Sequence, residues 1–198
     1  MKKYFFLMFM SFVLVLAGCS ESEELDTTSD KIEQNEKNAN NQDDEETKVT
    51  NRKTIELTSS DDEKIGSAVL RQVDNSVEIS LKVEGLDPGK HGVHFHETAA
   101  CDAPDFESAG GHFNPDSSEH GLENENGPHA GDLPNVDVAE DGTGELEFAT
   151  EHVSLLADEK NTLMDDDGSA LVIHEKEDDG KSDPSGESGD RIACGPLE

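Results

Sequence analysis

Apolar and polar residues alternate along several short stretches of this chain, and the alternation predicts strands. Thr54-Ile55-Glu56-Leu57, the run from Gly66 to Val73, and Ser76-Val77-Glu78-Ile79-Ser80-Leu81-Lys82-Val83 place aliphatic side chains at every second position. That period puts them on one face of an extended chain. Asp74-Asn75 and Gly85-Leu86-Asp87-Pro88-Gly89 bound these runs with residues that favour turns. Further runs follow at Val93 to His96, Val136 to Ala139, Gly144 to Ala149 and Ser169 to Glu175, and Glu140-Asp141-Gly142-Thr143 splits the middle pair. No stretch holds a helical period over three turns. The pattern predicts an all-β fold, a β-sandwich or flattened barrel of about eight antiparallel strands. Two segments interrupt the rhythm, at about 98–134 and 176–191. Irregular loops of that length inside a domain are commonly functional, and the first holds three of the eight histidines.

Ahead of the first strand the pattern is of another kind. Met1-Lys2-Lys3 precedes an apolar run from about Tyr4 to Ala17, which ends in Leu16-Ala17-Gly18-Cys19. A charged start, an apolar centre and small residues at its end read as an export signal over residues 1–18. The run is shorter than the roughly 20 residues that span a bilayer. Leu-Ala-Gly-Cys resembles the bacterial lipobox, which implies a diacylglycerol on Cys19 and an extracytoplasmic protein anchored to the bacterial cell membrane. Residues 19–51 are almost all polar or charged and carry too little apolar surface to offset the entropy of ordering. They read as an acidic tether, which leaves residues 52–198 as one domain.

Charge and cysteine content narrow the partners. Forty-seven acidic against fifteen basic residues give a formal charge of −32, which argues against binding nucleic acid or anionic lipid. Three cysteines are an awkward number outside the cytosol, unless one is modified. With lipid on Cys19, Cys101 and Cys194 remain as an even pair able to form one intramolecular disulfide.

The histidines supply the candidate chemistry. His94-Phe95-His96 lies on a predicted strand, where positions i and i+2 share a face and aim two imidazoles at one point. In the first long loop His112, His120 and His129 are separated by seven and eight residues, and Asp132 follows after two more. Three imidazoles and a carboxylate are the donors of a tetrahedral zinc site, and intervening glycines and prolines let the chain fold back on the ion. His174 closes a late strand and adds a further nitrogen from another part of the sheet.

Five blocks carry a resemblance to the copper/zinc superoxide dismutase family over roughly residues 52–198. They are Gly89-Lys90-His91-Gly92-Val93-His94-Phe95-His96; Gly111-His112-Phe113-Asn114-Pro115 with His120-Gly121; Gly127-Pro128-His129-Ala130-Gly131-Asp132-Leu133; Leu171-Val172-Ile173-His174-Glu175-Lys176 with Asp178-Asp179; and Gly189-Asp190-Arg191-Ile192-Ala193-Cys194-Gly195. The resemblance implies an immunoglobulin-like Greek-key sandwich, an architecture that such dismutases share. It implies copper on His94, His96, His112 and His174, zinc on His112, His120, His129 and Asp132, and His112 as a ring shared between the ions. Asp178 would orient one histidine on each side, Cys101 and Cys194 would pair, Arg191 would stand beside the copper, and His91 would be structural. The implied reaction turns superoxide into dioxygen and hydrogen peroxide by one-electron cycling of copper, in a monomer or homodimer, with Lys181 a further candidate for drawing in the anion. The alternative is a non-enzymatic copper- and zinc-binding lipoprotein of the same fold. Loss of a copper ligand or of the arginine would favour it, and all are present.

Overall fold

Nine strands form, seven of them where the alternation runs, in a computed structural model that describes residues 49–198. The export signal, Cys19 and the tether up to residue 48 lie outside the described residues. The strands are β1 (Val49–Ser59), β2 (Lys64–Val73), β3 (Ser76–Val83), β4 (Gly89–His91), β5 (Val93–His96), β6 (Val136–Val138), β7 (Gly144–Thr150), β8 (Ser169–His174) and β9 (Arg191–Leu197). In β3 the alternation is complete, with Val77, Ile79, Leu81 and Val83 buried and the residues between them turned outward. β2 and β3 are joined by Asp74-Asn75, with Asp74 at φ 51, a conformation that suits Asp in a two-residue hairpin.

All pairings are antiparallel, in the order β4-β6-β7-β3-β2-β1-β9-β8-β5. The two ends of that order, β4 and β5, are consecutive in the chain and separated only by Gly92. The sheet therefore curls until its ends meet, giving a nearly closed, flattened barrel around a core that includes Phe95, Leu133, Leu171 and Ile173. Each such side chain contributes about 1.5–3 kcal/mol on leaving water.

The structure differs from the sequence expectation in three places. β1 begins at Val49, ahead of the expected boundary at residue 52. Val49 there pairs with Val73, and Asn51 donates to the Leu155 carbonyl at 2.9 Å, so this polar stretch is held by backbone pairing rather than by an apolar face. β4 and β9 are strands that the alternation did not mark. In β9, Gly195 and Pro196 read as breakers, but a Cβ on Gly195 would lie 2.4 Å from Ile55 Cγ2, so the glycine is what lets β1 approach. The 151–168 connection is a third long one, closed by its own buried Val153, Leu155 and Leu163. Cys101 and Cys194 form a disulfide that fastens the first long loop to β9 across 93 residues, with Cα atoms 5.7 Å apart.

Candidate metal centre

β5 carries the first two histidines, and its pleat sends Phe95 into the core while His94 and His96 face the other way, all three buried. On one side β5 pairs with β8. On its other side the 97–135 loop returns: Phe113 N donates to Phe95 O at 2.8 Å, Phe95 N to Gly131 O at 2.9 Å, and Glu97 N to Gly111 O at 3.0 Å. A Cβ on Gly131 would sit 2.5 Å from Phe95 O, so this stitching needs the glycine. It fixes His112 opposite His96 and Asp132 opposite His94. His174, at the end of β8, completes the ring of imidazoles.

Two groups result. In one, donor atoms of His94, His96, His112 and His174 all lie within 4.8 Å of one another. Each ring has one nitrogen engaged: His94 Nε2 with Asp178 Oδ2 at 2.6 Å, His96 Nδ1 with Gly110 O at 3.0 Å, His112 Nδ1 with Asp132 Oδ1 at 3.1 Å, and His174 Nδ1 with Gly189 O at 3.2 Å. The opposite nitrogens, His94 Nδ1, His96 Nε2, His112 Nε2 and His174 Nε2, are buried with no hydrogen-bond partner. A ring that donates one proton to a carbonyl or carboxylate keeps its lone pair on the other nitrogen.

In the second group the Nδ1 atoms of His112, His120 and His129 surround Asp132 Oδ1 at 3.1, 3.1 and 3.4 Å. Asp132 Oδ2 accepts the backbone N–H groups of Gly121 and His129, both at 2.9 Å, so the carboxylate is held before any ion arrives. His94 also comes within 4.8 Å of His112, His120 and Asp132. Its Nε2 is engaged by Asp178 and its Nδ1 is one of the four free nitrogens, so it belongs with the first group. Asp178 Oδ1 lies 3.1 Å from His120 Nε2, and this one carboxylate therefore touches a ring of each group.

Electrostatics sort the rings. In the metal-free protein burial lowers His94 to about 3, His96 to about 2 and His174 to about 4, and also lowers His112. All four are neutral near pH 7, with lone pairs available to a cation. Burial also works against charge on His120, but hydrogen bonds to Asp132 and Asp178 outweigh it and raise the ring to about 9. Burial would raise Asp132 and Asp178, yet the hydrogen bonds from the histidines hold both carboxyls well below their usual range.

Arg191 sits at the start of β9. Nη1 donates to Phe106 O at 2.6 Å and Nη2 to Gly110 O at 2.7 Å. Gly110 O is also the acceptor of His96 Nδ1, so one carbonyl fixes both groups. Burial lowers the Arg191 pKa against the pull of Glu107 and Asp105, without approaching neutrality at pH 7. A cleft of about 550 Å³ beside it is bordered by Asp105, Glu107 and Asp190. Among the described residues no lysine lines this cleft, and Lys181 is paired with Glu123 at 2.8 Å at the surface.

His91 is buried with its ring between His174 O at 2.8 Å and Asp87 O at 2.9 Å, a structural tie, and His152 is exposed. Sequence reasoning missed Asn135, which hydrogen-bonds the backbone of Asp178, and Asp183, which accepts the His120 N–H at 2.6 Å. Neither carries a local signal, since each works on a partner more than forty residues away.

Comparison with known proteins adds the following. A family profile described as copper/zinc superoxide dismutase matches residues 64–197. Superoxide dismutase [Cu-Zn] 1 of Aquifex aeolicus is 47% identical over 137 residues, covering 69% of this chain and 81% of that protein. Superoxide dismutase-like protein YojM of Bacillus subtilis is 41% identical over 145 residues, 72% of this chain and 74% of its own. A crystal structure of a SOD-like protein from Bacillus subtilis superposes with a TM-score of 0.71 at 40% identity, over 73% of this chain and 97% of that one.

Proposed function

Because the chain belongs to the copper/zinc superoxide dismutase family, we propose that it converts two superoxide anions and two protons into dioxygen and hydrogen peroxide. Copper would be held by His94, His96, His112 and His174, and zinc by His112, His120, His129 and Asp132. The observation that carries this reading is the set of four buried ring nitrogens left free on one side of the shared His112. A buried lone pair without a donor costs free energy, and four nitrogen donors converging on one point fit a copper ion.

Copper bound there supplies one-electron exchange in both directions, while zinc adds fixed positive charge without redox chemistry. The chain supplies the rest. Hydrogen bonds to Asp178, Gly110 O and Gly189 O set the tautomers of His94, His96 and His174, so the donor nitrogens need no reorganisation. Arg191 spends two of its N–H groups on carbonyls, and this leaves a fixed cation with further donors for a small anion. His112 has Nδ1 engaged on the Asp132 side, so Nε2 is the nitrogen turned to the copper group, and it could carry a proton for the product only while its lone pair is not given to copper.

Export and lipid attachment at Cys19 complete the proposal, with the acidic segment as the link between lipid and domain. The export signal and the disulfide, which belongs to oxidising compartments, support this. Full-length chain loaded with copper and zinc should consume superoxide catalytically. Decay at the uncatalysed rate with both metals bound would leave the non-enzymatic metal-binding reading. In bacteria, replacing Cys19→Ser should move the protein from the membrane to the soluble fraction, and unchanged membrane retention would overturn the lipid anchor.

A further inference from the structure

Asp178 sets one ring of each histidine group, with Oδ2 on His94 Nε2 at 2.6 Å and Oδ1 on His120 Nε2 at 3.1 Å. Such a contact needs a carboxylate fixed to within a few tenths of an ångström. Asp178 nevertheless lies in the irregular 175–190 connection, where no strand ladder holds it. The Gly180 N–H donates to Asp178 Oδ1 at 2.7 Å, and two further residues outside both histidine groups add to that order.

Asn135 works on the backbone. Its Nδ2 donates to Asp178 O and its Oδ1 accepts from Asp178 N, both at 2.9 Å. This is the pair of hydrogen bonds that a neighbouring strand would give, delivered by a single side chain from the end of the other long loop. Gly186 works on the carboxylate. A Cβ there would lie 1.9 Å from Asp178 Oδ1 and 2.8 Å from His120 Nε2, distances that real Cβ atoms do not show. The glycine cannot simply back away. Its N–H donates to Ser182 O at 2.7 Å, and its carbonyl accepts from Asp179 N at 3.0 Å, at φ +63.

We infer that Asn135 and Gly186 are positioning residues for both metal groups and act together through Asp178. Asn135 fixes its backbone, and Gly186 leaves the space in which its carboxylate lies between His94 and His120. The inference rests on the reading of the two groups as metal sites. Removing partners that orient metal-binding histidines typically weakens metal binding about 10–100-fold, and that is the scale of effect expected here.

The test uses full-length chain with zinc and copper as probes. Zinc affinity is read by competition with a chromophoric chelator, and the copper environment by the visible and electron paramagnetic resonance spectra of Cu(II). Gly186→Ala and Asn135→Ala should each lose zinc affinity about 10–100-fold and shift the Cu(II) spectrum. Gly85→Ala is the control. Gly85 has φ +78 and open space around its Cβ position, so the variant bears a similar left-handed backbone penalty and should keep parental affinity and spectrum. In an Asp178→Ala background, adding Asn135→Ala should change zinc affinity by no more than about 2-fold, because Asn135 touches only the Asp178 backbone and no carboxylate remains for it to position. Variants that match Gly85→Ala, or an Asn135→Ala loss that multiplies fully with that of Asp178→Ala, would overturn the inference. If Gly186→Ala does not fold, Asn135→Ala decides by the same readouts. A parent chain that takes up neither metal overturns the metal-site reading and this inference with it; a parent that binds both while the variants match the control overturns the inference alone.

Discussion

His112 is the residue on which the two groups depend, because its two ring nitrogens face different neighbourhoods. Nδ1 meets Asp132 and His129, and Nε2 is among the four free nitrogens. Arg191 is held as firmly, by two carbonyls, one of them shared with His96. Replacing Arg191→Ala should therefore lower kcat/KM for superoxide roughly 10²-fold while copper content stays at the parental level. An unchanged kcat/KM would remove Arg191 from the anion's path. The histidines also make a pH prediction for the metal-free protein. His94, His96 and His174 are lowered from about 6.5 to about 3, 2 and 4 by burial, so below pH 6.5 the unfolded chain takes up protons that the folded one refuses. Stability therefore falls with falling pH, by at most about 1.4 kcal/mol per pH unit per group. His120, raised to about 9, acts in the opposite sense, but its contribution is lost between about pH 6.5 and 9 and is complete below that window. Urea midpoints of metal-free protein should drop between pH 7 and pH 5, and a constant or rising midpoint would contradict the buried, neutral state of these rings.

Among the elements, β5 joins the core to the site. Phe95 is fully buried on one face of the strand while His94 and His96 present the other, so packing of the first holds the aim of the second. Phe95→Ala should cost about 3–5 kcal/mol and lower the melting temperature by roughly 10 °C. A shift of only a degree or two would mean that β5 is held by its hydrogen bonds alone. The same strand shows what is legible in a sequence. β2, β3, β5 and β8 are marked by alternation or near-continuous apolar runs, and the histidines and Asp132 stand in short local patterns whose chemistry can be read residue by residue. β9 is not legible, because the glycine that looks like a breaker is required by Ile55 of a strand more than a hundred residues earlier. β4, at three residues, is too short to show a period. Asn135 and Gly186 are hidden for a related reason: their value lies in what they touch across the fold, and an asparagine after a proline or a glycine in a loop has a local explanation already.

For the whole molecule, electrostatics decide how an anion arrives. The chain carries −32, Asp105, Glu107 and Asp190 border the cleft beside Arg191, and Lys181 is ion-paired with Glu123. At long range superoxide meets repulsion, which salt shortens to about 8–10 Å at ordinary ionic strength. At fixed pH, kcat/KM should rise or hold steady as salt increases from low concentration; a steep fall would show that attraction dominates the approach. None of this matters unless the two groups hold two ions through one ring. Anomalous diffraction from crystals of the copper- and zinc-loaded protein, recorded across both metal edges, tests that most directly. Copper within bonding distance of His94 Nδ1, His96 Nε2, His112 Nε2 and His174 Nε2, with zinc about 2.0–2.1 Å from His112 Nδ1, is the predicted result. Either ion elsewhere, or an oxidised centre in which His112 touches only one of them, would contradict it.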